Sequence, residues 1–232
     1  MESDITESPL LYKTWLWFEA NKKQVITGLV VIVVLGIAAG IYFYGRMQKN
    51  VSASEALAEL TTRGPESGQV QPEAFAKIAT DYAGTSAAGR ALLVAGARYF
   101  EASNYTQAQA QFEKFLSQYR DSDFTGQALF GIAASLDAQG KSADAIKAYK
   151  DIIEHHSTDE VAPQAMLALG QIYEAQGDFE LARDTYGQLE RMGPGSLGST
   201  AAMRLQDLES KHPELALPKV SQTNAPTLNL KP

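Results

Sequence analysis

Cysteine is absent from this chain of 232 residues. Disulfides, thiolate metal sites and a cysteine nucleophile are therefore excluded, while the redox compartment stays open. Positive charge is scarce: 20 Lys and Arg face 27 Asp and Glu, for a net charge of -7. Proteins that bind nucleic acid cluster their cations to neutralise phosphates, and no basic stripe occurs here, so no nucleic-acid partner is expected. Histidine occurs three times. His155 and His156 are adjacent, diverge on a helix and are joined by no third histidine, so they suit a helix end better than a metal site. No Ser/His/Asp grouping, phosphate-binding loop or carboxylate pair stands out. The string Gly193-Pro194-Gly195-Ser196-Leu197-Gly198 spells the dinucleotide fingerprint, but it follows a helical pattern where that mechanism needs a strand entering the turn. It reads as a flexible link. Two glycosylation sequons, Asn50-Val51-Ser52 and Asn104-Tyr105-Thr106, would matter only in a eukaryotic secretory lumen. Neither a cofactor nor catalysis is expected.

One long hydrophobic run is present. From Val25 to Phe43 the chain is uncharged and almost wholly apolar, and as a helix it spans roughly 28 Å, close to the ~30 Å of a hydrocarbon core. Trp15 and Trp17 precede it, Tyr42 and Tyr44 close it, and Lys22, Lys23, Arg46 and Lys49 bracket it, as interfacial anchors do. A transmembrane helix over 25–44 follows, uncleaved because its length exceeds a signal-peptide core and because cleavage after Gly40 would expose the aromatic run that follows. Charge counting does not decide its orientation. The Lys22-Lys23 pair and the short tail over 1–24 favour a cytoplasmic N-terminus and a translocated C-terminal part.

The rest of the chain repeats. Phe75, Phe112, Tyr149 and Tyr186 lie 37 residues apart, and other positions move in step: Leu92, Leu129 and Met166; Ala108, Ala145 and Ala182; Phe115, Ile152 and Leu189. Each unit reads as two helices around a polar turn: Ser103-Asn104-Tyr105, Gly140-Lys141-Ser142 and Gly177-Asp178-Phe179. Thr106 and Gln109 have capping-box spacing, and Pro163 suits a first helical turn. In each second helix an alanine four residues before the aromatic admits a neighbour closely while the ring fills the space beside it. Gly96 and Gly170 hold the corresponding small position on the first helix, with Ala133 in the middle unit. The fold class is all-α. A connecting region over 45–88 contains a degenerate first pair; repeats cover 89–198 as 89–125, 126–162 and 163–198; a capping helix occupies 199–211, and a disordered tail runs over 212–232.

The last unit, with Met166, Leu169, Gly170, Tyr173, Gly177, Ala182, Tyr186, Leu189 and Pro194, resembles the tetratricopeptide repeat family. That resemblance implies a helical-hairpin solenoid whose first helices line a concave protein-binding groove. Carried over by position, the groove comprises Arg90, Leu93, Ala97 and Phe100; Gln127, Phe130, Ala134 and Asp137; and Gln164, Leu167, Gln171 and Glu174. The same positions would also suit ordinary solvated or half-buried helix faces. The family's basic carboxylate clamp is missing from them, so an acidic C-terminal peptide is not the expected ligand. A second resemblance rests on Trp17 to Lys23, the apolar span and Ser52 to Ala56, which look like the ancillary Sec-translocon subunits of bacterial inner membranes. It implies a single-pass inner-membrane protein with periplasmic repeats, meeting translocon components, periplasmic chaperones or secreted clients. The other class left open is a structural coordinator of envelope assembly or cell division that binds one fixed partner.

Overall fold

The computed structural model describes residues 9–63, 71–157, 159–193 and 195–215. Among these, every regular element is helical: nine α-helices and one short 3-10 turn. The chain divides into two compact units, Met1–Ala56 and Leu57–Pro232. Helix α1 (Pro9–Arg63), most of which belongs to the first, carries the apolar run without interruption. Large side chains such as Leu29, Ile32, Leu35, Ile37 and Phe43 are all exposed along it. This is one helix long and apolar enough to cross a membrane, and its exposure removes the alternative of a buried core helix.

The second unit is built from α2 (Pro72–Asp81), α3 (Ser86–Glu101), α4 (Tyr105–Gln118), α5 (Thr125–Ala138), α6 (Ser142–His155), α7 (Ala162–Gln176), α8 (Phe179–Arg191) and α9 (Ser196–Lys211). From α2 onward each helix packs on the next, and α3 also meets α5 while α7 meets α9. Successive helices thus pair into hairpins whose contacts stay local, as a repeat array requires.

The repeated positions are the core. Phe75, Phe112, Tyr149 and Tyr186 are 2%, 7%, 2% and 0% exposed, while Ala108, Ala145 and Ala182 are at 0%. Burying a large apolar side chain contributes roughly 1.5–3 kcal/mol, so each hairpin carries its own share of stability. The small positions are equally specific: a Cβ on Gly96 would stand 2.7 Å from the Phe112 ring, and one on Gly170 would run into the Tyr186 ring. A second glycine on Phe112 escaped the repeat alignment. Gly131, on α5, approaches the opposite ring edge, where a Cβ would stand 2.5 Å away.

The turns follow backbone chemistry. Gly140 and Gly177 adopt φ of 75° and 82°, the left-handed conformation that closes a helix without a Cβ penalty. Ser103, at the equivalent place, adopts φ 59°. Helix α4 starts at Tyr105 and is capped by Asn104, whose side chain accepts from Gln107 N at 3.4 Å, and not by Thr106, which lies inside the helix. Thr85 caps α3 by accepting from Ala88 N at 3.1 Å, and Pro163 sits in the first turn of α7.

The start of the tail differs from expectation. His212 stacks on Phe179 with centroids 3.7 Å apart, Pro213–Leu215 form the 3-10 turn, and Leu215 is buried. Arg183 Nη1 donates to the Leu215 carbonyl at 2.8 Å. An apolar anchor and a charge-assisted bond therefore hold 212–215 against α8, where composition alone suggested disorder; the remainder, from Ala216, lies outside the described residues.

Candidate protein-binding groove

On α3, α5 and α7 the groove positions sit opposite the buried stripe, and none is buried. Arg90, Ala97, Gln127, Gln164 and Gln171 are exposed, whereas Leu93, Phe100, Phe130, Ala134, Asp137, Leu167 and Glu174 are half-buried. Gln127, Phe130 and Gln164 come together around a cavity of about 620 Å³ at the N-terminal ends of α5 and α7. Phe130 presents an edge there while its ring leans on Tyr149, with centroids 5.7 Å apart. Phe100 is engaged elsewhere, tilted on Tyr105 at 5.1 Å.

Arg90 lines a separate cavity of about 550 Å³ nearer the start of α3. Its guanidinium lies 5.6 Å from the centroid of Phe124, a cation-π contact. Phe124 lines both cavities. Sequence reasoning left it in a connecting loop, although a lone aromatic just before a helix was a signal. Leu93, Leu167 and Gln171 line neither cavity.

The two acids of the groove differ. Glu174 accepts from Tyr186 Oη at 3.0 Å and lies 3.9 Å from Arg204 Nη1, joining α7, α8 and α9. It is a structural junction as much as a surface group, and Arg204 is a neighbouring cation the sequence assigned only to the cap. Asp137 makes no side-chain hydrogen bond or ion pair among the described residues, and burial raises its carboxyl above the ordinary range. Burial, aided by the Asp137 charge, also raises the Tyr149 phenol, and burial with the Glu174 bond raises that of Tyr186.

His155 closes α6 beside Asp151, and His156 lies 3.1 Å from Asp159. No cluster of three metal-ligating side chains occurs among the described residues. The glycine-rich string joins α8 to α9, so a helix enters it. Its described glycines are held instead of loose: Gly195 N donates to the Gly193 carbonyl at 2.8 Å, and a Cβ on Gly198 would run into that same carbonyl.

Stacked hairpins with glycine-aromatic joints find their counterpart among known proteins. The family model for the tetratricopeptide repeat-like domain matches residues 15–210. The chain belongs to that family. This tetratricopeptide repeat-like protein is 28% identical over 188 residues to the ancillary SecYEG translocon subunit of Neisseria gonorrhoeae, an alignment covering 78% of this chain and 87% of that protein. Its fold is similar to the crystal structure of MamA protein, with a TM-score of 0.50 at 18% identity over 77% of this chain and 99% of that one.

Proposed function

We propose that this protein is a non-catalytic scaffold, held in a bacterial inner membrane by α1 with its N-terminus cytoplasmic, whose repeats bind other proteins in the periplasm beside the Sec translocon. Partners would be translocon components, periplasmic chaperones or secreted clients. The observation that carries the reading is the pairing of one exposed apolar helix with a stacked-hairpin groove whose side chains are half-open and polar-aromatic in composition. Exposed apolar surface on this scale is costly in water and is relieved in lipid. Phe side chains with adaptable glutamines are suited to peptide capture. The likeness to an ancillary SecYEG translocon subunit supports the choice of neighbourhood.

A photo-crosslinking amino acid replacing Phe130 tests it in intact cells. Adducts with translocon components or with many newly exported chains are expected; one stoichiometric envelope protein would favour the fixed-partner coordinator instead. Protease added to the outer face of the inner membrane should digest the repeats, and protection there would refute the orientation.

A further inference from the structure

The cavity at the starts of α5 and α7 has a mixed lining. Phe124, Phe130 and Val161 line it together with Asp123, Asp159 and Glu160, and no Lys or Arg does. Among the described residues the Asp123 and Glu160 carboxylates make no ion pair, and Asp159 meets only His156, at 3.1 Å. Carboxylates gathered in one hollow repel one another, and an incoming cation relieves that repulsion. The aromatic lining has a precedent for such a guest: the Arg90 guanidinium already lies over the Phe124 ring, 5.6 Å from its centroid. A lysine or arginine side chain matches both kinds of lining residue, with an aliphatic stem for the rings and a charged head for the carboxylates.

Resting on the reading of the concave face as a protein-binding groove, we propose that this cavity selects partner segments in which a lysine or arginine stands beside an apolar residue. The basic head sits among Asp123, Asp159 and Glu160, and the apolar neighbour covers the open edge of Phe130. Asp137, further along α5, extends the same sign of charge, so an acidic segment is turned away.

The test uses the full-length protein in nanodiscs of zwitterionic phosphatidylcholine, with empty nanodiscs as the blank. Short fluorescein-labelled peptides alternating lysine with leucine, glutamate with leucine, and lysine with serine are titrated by fluorescence anisotropy. The lysine-leucine peptide should bind about tenfold more tightly than either other peptide. The Asp123→Lys/Glu160→Lys variant should reverse the order of the lysine-leucine and glutamate-leucine peptides. Should that variant misfold, Asp123→Asn/Glu160→Gln should weaken lysine-leucine binding about fivefold. Equal binding of the two leucine peptides, or an order untouched by the charge changes, overturns the cation preference while leaving the groove intact. If no peptide binds and Phe130 crosslinks to no protein, the groove reading itself fails, and this proposal with it.

Discussion

Replacing Gly131 by alanine should destabilise the repeat unit, opposite to the usual sign in a helix. Within a helix alanine is favoured over glycine by about 1 kcal/mol. At Gly131 on α5, however, an added Cβ would stand 2.5 to 2.7 Å from three atoms of the Phe112 ring, and Gly96 on α3 presses the other edge of the same ring, where a Cβ would stand 2.7 to 3.0 Å away. The ring cannot retreat from one glycine without closing on the other, so relief requires α4 or α5 to shift. Overpacking of this kind costs about 1–3 kcal/mol, and after the helix gain is subtracted a net loss of up to about 2 kcal/mol remains. A Phe112→Leu background supplies the control. With the ring gone the same Gly131→Ala change should recover its ordinary gain of about 1 kcal/mol, so the two substitutions couple with a sign reversal. Urea unfolding of the full chain in mild detergent, followed by helical circular dichroism, reads both backgrounds. A Gly131→Ala protein more stable than the parent by the same amount in each would refute the wedge.

Ser103→Gly should stabilise by about 1 kcal/mol in the same assay, because Ser103 is the non-glycine residue held at φ 59° where the next two hairpins place glycine. Asp137→Asn should raise the unfolding midpoint at neutral pH. Its folded carboxyl titrates above the ordinary 3.8, so stability is fully present below that pH and is lost as pH rises through the folded value. The variant should be flat across that window. At alkaline pH the buried phenols of Tyr149 and Tyr186 hold their protons beyond the ordinary value of 10.0. Stability should be complete below pH 10 and fall above it by up to about 1.4 kcal/mol per pH unit for each group; Tyr149→Phe and Tyr186→Phe should each flatten that fall. Tyr186→Phe should also cost about 1 kcal/mol at neutral pH by deleting the bond to Glu174.

The hairpin core was legible because it recurs. Each unit solves one packing problem with an alanine, an aromatic and a small residue, so Ala108, Phe112 and Gly96 have counterparts 37 residues on that a single chain displays to itself. What broke the period was harder to read. Gly131 is spaced to suit Phe112 alone, and the clasp of His212, Leu215 and Arg183 closes the array only once. Thr106 and Gln109 hid the true cap at Asn104, because their capping-box spacing suggests a helix start two residues later than the one formed.

The groove was legible only as a set of positions, for a reason that bears on how it works. The cavity lining does repeat, since Asp123-Phe124 and Glu160-Val161 stand 37 residues apart, but as an acid followed by an apolar residue in a connection it reads as an ordinary helix entry and not as a site. Some groove residues run against stability: Asp137 is half-buried with no cation partner among the described residues, and Phe130 lines a cavity while only half-buried. Such a surface yields modest affinity on its own, since exposed charge pairs contribute only about 0.2–1 kcal/mol each. With the repeats tethered by α1 beside partners in the same bilayer, as proposed, encounter becomes effectively intramolecular, at effective concentrations on the order of millimolar for a short tether. Modest affinity then suffices for occupancy and permits release, which a protein meeting successive partners needs and one locked to a single partner does not.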